Sequence, residues 1–352
     1  MAGETLLIRA DASTQMGTGH VMRCLALAQA WQEAGGRAEL LAADLEPRLE
    51  LRLNAERVNV VRLVAEPGSA RDAQDTAAIG RDLRASWLVV DGYRFDATYQ
   101  QMIKEAGASL LFVDDNGHES HYHADLVLNQ NIHAREALYA RREPYTRLLL
   151  GTRYALLRRE FWPWRGWQRQ IPGVAHKVLI TLGGADIHNH TLHTINALRR
   201  VELEGLQVVV VVGTSNPHYH ELQAGLRACP FAIRLERNVS NMAPWLAWAE
   251  IAISAGGSTS WELAMMGLPS ILVALADNQE TAVHELAVSG AFLRLSKEDW
   301  DDAACLARNI DRLLCDREQR AALSRTASNL VDGYGADRVQ VILNHIPGER
   351  KP

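Results

Sequence analysis

The chain has 352 residues, of which 47% are hydrophobic and 22% charged, enough to bury two cores of ordinary size. Its net charge of −5 argues against a nucleic-acid partner, so an anionic ligand would need a local positive site, such as a helix terminus or a placed Arg. The longest apolar runs fall well short of the roughly 20 residues that cross a membrane, and the N-terminus lacks the basic region and apolar core of a secretory signal.

Cys24, Cys229, Cys305 and Cys315 are widely spaced and form no Cys-x-x-Cys. They read as reduced thiols packed as small apolar groups, and the expectation is a cytoplasmic, monomeric protein with no membrane partner.

From the N-terminus, the apolar run Thr5–Ala10 leads through a polar segment into Met16-Gly17-Thr18-Gly19-His20-Val21-Met22-Arg23. An apolar periodic stretch, His20–Ala34, follows. The order is strand, glycine loop, helix. Gly17 and Gly19 allow close backbone approach, and the free N–H groups at the helix start suit an anion. His20 places one titratable imidazole there. The spacing fits neither a dinucleotide fingerprint nor a Walker loop, and the same residues would also serve an ordinary strand-to-helix turn.

Further strands are expected at Arg37–Ala42, Val58–Leu63, Trp87–Asp91, Ser109–Val113 and Leu126–Leu128. Helices are expected at Arg71–Arg84 and Ala97–Ala106. Runs such as Trp87-Leu88-Val89-Val90 are apolar on both faces, as in a buried parallel sheet. Ligands of such sheets sit beyond the carboxyl ends of the strands. Polar residues gather at those ends: Asp11, Asp91-Gly92-Tyr93, Asp114-Asp115-Asn116 and Asn129-Gln130-Asn131. Turn chemistry alone also favours Asp and Asn at these positions, but the recurrence at several strand ends leans toward a site. Arg9 and Asp11 are placed to orient His20. His118, His121 and His123, and again His188, His190 and His193, fit no metal spacing well, so no metal and no cofactor is expected.

The segment Phe161–Gly173 carries prolines, glycines and tryptophans and reads as a linker. The domains are therefore set at 1–162 and 177–352, with 163–176 between them. After it come strands at Lys177–Leu182, Gln207–Val212, Ala232–Leu235, Ile251–Ser254 and Ser270–Ala274. Helices alternate at Asn189–Arg200, His218–Ala228, Met242–Trp248, Thr259–Gly267 and Thr281–Ser289. Three more helices, around Asp301–Cys315, Glu318–Leu330 and Ala336–His345, close the second domain. The fold class is α/β, with two Rossmann-like domains facing a cleft.

Two glycine turns mark the second domain. Gly183-Gly184-Ala185-Asp186 follows its first strand. Ser254-Ala255-Gly256-Gly257-Ser258-Thr259 opens a helix that includes Glu262. Backbone N–H groups and the Ser258 and Thr259 hydroxyls can hold a diphosphate without metal, with Glu262 one turn on, near ribose hydroxyls. Plain helix capping by Ser and Thr is the alternative.

With these residues in view, Ser254–Pro269 followed by Asp277-Asn278-Gln279 resembles the UDP-binding half of the peptidoglycan N-acetylglucosamine transferases. Arg9-x-Asp11, Gly17-x-Gly19-His20-x-x-Arg23, Asp114-Asp115, Asp125-x-x-Leu128-Asn129, the stretch from Gly151 to Phe161, Ser215-Asn216-Pro217 and Asn278-Gln279 are narrower. They resemble the UDP-2,4-diacetamido-2,4,6-trideoxy-β-L-altropyranose hydrolases of pseudaminic acid biosynthesis. Ala185 departs from the Thr or Ser expected in many relatives, and nothing carries over after Gly290.

The resemblance implies a glycosyltransferase-B-like fold and inverting hydrolysis of a UDP-sugar, with water replacing UDP at the anomeric carbon. It makes His20 the general base, Tyr93 an active-site residue, and Asn278 and Gln279 sugar-side residues. Gly17, Gly19 and Arg23 fall on the substrate side of the first domain. Tyr93 or Asp11 is the next candidate base. An imidazole suits base catalysis near neutrality. A glycosyltransferase or a nucleotide-sugar epimerase on the same scaffold is the runner-up, and a UDP-sugar binding protein without turnover the non-enzyme alternative.

Overall fold

A computed structural model of the chain describes residues 3–13, 17–184, 186–213 and 215–345. Met16 of the first glycine loop and Ala185 of the second lie outside these. The chain forms two units, residues 1–159 with 333–352, and residues 160–332.

The first unit is built on β1 (Thr5–Ala10), β2 (Arg37–Ala42), β3 (Asn59–Arg62), β4 (Ala85–Asp91), β5 (Leu110–Val113), β6 (Leu126–Asn129) and β7 (Arg147–Leu150). They form a parallel sheet in the order β3-β2-β1-β4-β5-β6-β7. The chain winds one way from β1 and then returns to β4 on its other side. The crevice at the carboxyl ends of β1 and β4 is therefore the switch point where ligands of such sheets bind. Leu7, Leu88, Val90, Phe112 and Val127 are buried with Tyr99 and Tyr122 from the layer beside the sheet. Each fully buried aliphatic side chain of this kind contributes about 1.5–3 kcal/mol.

The helix Gly19–Glu33 is buried on nearly all sides, every residue from Arg23 to Trp31 included. It stops at Gly35, whose φ of 90° no β-carbon-bearing residue adopts easily. The helix Pro47–Ala55 and the strand β7 were not expected from the sequence. Both are short, and β7 has only one fully buried position, so neither shows a strong apolar period.

The second unit repeats the plan. Its strands are β8 (Lys177–Thr181), β9 (Gln207–Val212), β10 (Ala232–Arg237), β11 (Ile251–Ala255), β12 (Ser270–Val273) and the two-residue β13 (Leu293–Arg294). They pair in parallel in the order β10-β9-β8-β11-β12-β13. The switch point lies between β8 and β11, the two strands that the glycine turns follow. Val178, Ile180, Val208, Val210, Ile253 and Ile271 fill the core against Ile195, Leu198, Trp300 and Ile310.

Two boundaries differ from the expected division at 162 and 177. The segment read as a linker packs on the second unit: the Arg169 guanidinium donates to the carbonyls of Leu246, Ala249 and Met266. At the other end, the helix Gly335–His345 returns to the first unit. Trp87 Nε1 donates to the Leu343 carbonyl at 2.9 Å, and Arg338 donates to the Arg153 carbonyl at 2.8 Å. Gly335 makes this docking possible, because a β-carbon there would lie 2.2 Å from the Ala155 carbonyl oxygen.

Candidate active site

The first switch point holds a buried charged network. His20 is the second residue of the helix that follows β1, and Asp91 is the last residue of β4. Nδ1 of His20 lies 2.7 Å from Asp91 Oδ1. Arg23, one turn along the helix, donates from Nε to Asp91 Oδ2 and from Nη2 to Asp91 Oδ1, both at 2.7 Å. Its Nη1 donates to Asp115 Oδ1 at 2.7 Å, from the loop after β5. Asn131, after β6, donates to the same Asp115 oxygen at 2.9 Å. The strand ends that gather polar residues in the sequence thus meet through Asp91, Asp115 and Asn131.

The electrostatics fix the histidine tautomer. Burial by itself would raise the Asp91 pKa, but the Arg23 guanidinium and His20 outweigh it and hold it far below the usual carboxylate range. Asp115 is lowered in the same way, burial opposing and Arg23 prevailing. Burial would strip charge from Arg23, but Asp115 and Asp91 keep it cationic. Both neighbours of His20 Nδ1 are therefore charged, an acceptor at 2.7 Å and an Arg donor at 3.2 Å. Only the carboxylate can receive a hydrogen bond from the ring, so Nδ1 carries a hydrogen, and in a neutral ring Nε2 is the nitrogen with the lone pair. Cys24 also points at Asp91 Oδ2, at 3.4 Å, and burial plus that charge push its thiol pKa well up. It is a packed thiol and no nucleophile.

Tyr93 stands at the edge of this network, with ring centroids 4.9 Å apart and its plane nearly perpendicular to the His20 ring. Its hydroxyl donates to Asp115 Oδ2 at 2.9 Å. At 41% exposure it is the member of the set open to a ligand, where His20 is 7% exposed. Gly17, with φ of 78°, and Gly19, the first helical residue, bring the chain from β1 to His20.

Asp11 and Arg9 do other work than expected. Asp11 Oδ1 accepts from the Ala43 and Asp44 backbone N–H groups at 2.7 and 3.0 Å, and its Oδ2 pairs with Arg9 at 2.8 Å. Arg9 is buried, donates to Asp72 and lies over the Phe95 ring. These residues tie β1 to β2 and to the helix Ala70–Asp82; the residue that orients His20 is Asp91. Arg23, expected on the substrate side, is held by two carboxylates, Asp91 and Asp115. Asp114, also at a strand end, accepts from Tyr122, Tyr139 and Gly117 and closes its own loop.

The second switch point is built on glycine turns, with Asp186 and Glu262 as its buried carboxylates. Gly256 sits where a β-carbon would lie 2.0 Å from Val283 Cγ2. Gly257 follows it, and Ser258 and Thr259 start a short helix, Thr259–Met265, in which Glu262 is buried. Gly183, with φ of 91°, and Gly184 form the turn after β8, where a β-carbon on Gly213 would meet the Gly184 backbone. Asp186 caps the next helix, accepting from the His190 and Thr191 N–H groups. Asn278 and Gln279 lie in the first turn of the helix Asp277–Val288, which starts earlier than the sequence suggests. Gln279 Oε1 accepts from the Leu275 N–H, and its Nε2 reaches the space beside Gly257.

Residues 177–335 match the family model of the glycosyltransferase family 28 C-terminal domain. An uncharacterized protein of Methanocaldococcus jannaschii is 24% identical over 76% of this chain, which spans 55% of that protein's length. The spore coat polysaccharide biosynthesis protein SpsG of Bacillus subtilis is 24% identical over 96% of this chain and 97% of its own. The UDP-2,4-diacetamido-2,4,6-trideoxy-beta-L-altropyranose hydrolase of Campylobacter jejuni is 24% identical over 81% of this chain and 97% of its own. Among solved structures, MurG of Acinetobacter baumannii superposes with a TM-score of 0.71 over 97% of this chain and 100% of that one, at 18% identity. The chain is thus similar to the UDP-diacetamido-altropyranose hydrolases, with the two parallel-sheet α/β domains of a glycosyltransferase-B-like fold.

Proposed function

We propose that the chain hydrolyses a UDP-linked 2,4-diacetamido-2,4,6-trideoxy sugar, as in pseudaminic acid biosynthesis, with inversion at the anomeric carbon. The observation that carries this reading is the His20–Asp91 pair, which leaves Nε2 as an acceptor beside an exposed Tyr93. Nε2 takes a proton from water as the water oxygen bonds to the anomeric carbon. The bond from that carbon to the diphosphate oxygen breaks, and UDP leaves with the electron pair. Asp91 stabilises the imidazolium that forms, as a carboxylate on Nδ1 does in other base-assisted hydrolyses. Inversion follows from a base on the face opposite the leaving group.

UDP belongs, on this reading, to the second unit, against Gly256–Thr259 with Glu262 on the ribose. Support comes from the place of the loop at the switch point. Gly183 and Gly184 flank the phosphates, and Asn278 and Gln279 face the sugar. The donors are backbone and hydroxyl groups that need no ion to receive a diphosphate, so catalysis without an obligatory metal belongs to the proposal.

A transferase or an epimerase is the second reading, favoured by the family 28 match of the second unit. One experiment separates the readings: incubation of the purified protein with the UDP-sugar in the absence of any acceptor. Free UDP with a reducing sugar is the expected result. An isomerised UDP-sugar would make the chain an epimerase, and an unchanged substrate would leave a transferase or a binder.

A further inference from the structure

We propose that His121, His123 and Glu143 form a binding site for a divalent transition-metal ion of the zinc type. The local histidine spacing gave no reason to expect it, because the third ligand lies twenty residues further along the chain. The backbone brings the three together. Tyr122 N–H donates to the Arg141 carbonyl at 2.9 Å, and Glu143 N–H donates to the Tyr122 carbonyl at 3.0 Å. This isolated parallel bridge pins the two segments side by side. In extended backbone, residues two apart share a face. Tyr122 turns into the core, 1% exposed, so His121 and His123 point the other way, with ring centroids 4.6 Å apart.

The distances suit a shared ion. Glu143 Oε1 lies 3.1 Å from His121 Nε2 and 3.3 Å from His123 Nδ1. The three candidate ligand atoms lie within 4.8 Å of one another. Bonds of about 2.0–2.1 Å in a tetrahedron put ligand atoms about 3.3 Å apart, the spacing that both Glu143 contacts already have. Two imidazole nitrogens and one carboxylate oxygen are the donor set of zinc rather than of calcium or magnesium, which take oxygen. All three side chains are partly exposed, which lets an ion enter and leaves the fourth position to water.

The place in the fold assigns the role. His121 and His123 precede β6, and Glu143 precedes β7, at the amino-terminal ends of those strands. His20 and Asp91 belong to the carboxyl ends, where the chemistry is proposed. An ion here would fasten the connection from β5 to β6, whose first residues include Asp115. It would act on stability and not on the reacting atoms.

The test uses the full chain, stripped of metal by chelation and desalted, then titrated with Zn²⁺ alone against a chromophoric chelator. One equivalent should bind, and Co²⁺ in its place should give the absorption of a tetrahedral site. The His121→Ala/His123→Ala variant should lose that equivalent. Glu143→Gln, which keeps the side-chain size and the backbone bridge, should weaken it by at least tenfold. A His190→Ala/His193→Ala control should bind as the parent does. Far-UV circular dichroism reports whether each variant folds. Absence of a stoichiometric equivalent in the parent, or its survival in the His121/His123 variant, would overturn the proposal.

Discussion

The two units place the same crevice in the same topology and fill it with opposite chemistry. In the first, the ends of β1 and β4 hold an imidazole, a guanidinium and two carboxylates, locked by hydrogen bonds of 2.7 Å. In the second, the ends of β8 and β11 hold glycines, hydroxyls and backbone N–H groups, with Asp186 and Glu262 as buried carboxylates, Asp186 accepting from backbone N–H groups. On the proposed reading, the charged network of the first unit moves a proton, and the glycine loop of the second holds the ligand. The parallel sheet supplies the location, and the residues at its strand ends decide the function. If this division is right, changes in the first crevice should act on turnover and those in the second on affinity.

The largest effect is expected from His20. His20→Ala should lower kcat by about 10²–10⁴-fold, the usual loss of a general base, with UDP affinity unchanged. A His20→Ala protein with near-normal kcat at saturating substrate would end the comparison at its root, and Tyr93 would become the next candidate.

Asp91 tests whether the network positions the base. Asp91→Asn should lower kcat with UDP affinity unchanged, since the variant no longer stabilises an imidazolium. A purely structural Asp91 would lower stability and leave kcat of the folded protein in place. The substitution also leaves Arg23 half-paired in a buried site, which costs about 3 kcal/mol by the usual range for a broken buried pair. The parent's acid stability follows from the same carboxylate. Its folded pKa lies below the ordinary value, so its contribution is present above the ordinary carboxylate range and is lost as pH falls below it. A urea unfolding series from pH 6 downward should show the parent losing stability more steeply than Asp91→Asn.

In the second crevice, Gly256→Ala separates packing from binding. The new methyl would overlap Val283, and overpacking of that kind costs about 1–3 kcal/mol. Adding Val283→Ala should restore thermal stability. UDP affinity, measured by calorimetry, should stay low in the double variant, because the methyl still blocks approach to the backbone. Recovery of both would assign Gly256 to packing alone. Glu262→Ala should have a smaller effect, with UDP bound about tenfold more weakly through loss of one charge-assisted hydrogen bond.

These contrasts were unequally legible in the sequence. The loop from Gly17 to Arg23 and the loop from Ser254 to Thr259 are continuous, so strand, glycine turn and helix stand in order along the chain. Asp91 was visible as one of several polar strand ends, but its contact with His20 spans 71 positions, and nothing local distinguishes it from Asp11. Arg9 and Asp11 were nearer in sequence and for that reason misleading. The helix Gly335–His345 shows an apolar face but not which unit it covers. Glu143 was unreadable as a partner of His121 and His123, because an isolated bridge leaves no periodic trace.

The smallest expected effect also bears on both crevices at once. Prolonged treatment with EDTA, followed by assay in metal-free buffer, should leave most of kcat. The physical reason is that developing charge on departing UDP would meet backbone N–H groups and hydroxyls, preorganised donors that do the work an ion does elsewhere. Proton removal from water would rest on His20 Nε2, which needs no Lewis acid. The His121, His123 and Glu143 cluster sits at the other ends of the strands, so stripping it should lower thermal stability while sparing kcat. A loss of kcat restored by a divalent ion would separate two cases. Persistence of that dependence in the His121→Ala/His123→Ala variant would put an ion in one of the crevices and refute metal-free leaving-group stabilisation. Its disappearance there would instead tie turnover to the β5–β6 connection, and so to the Asp115 that holds Arg23 and Tyr93.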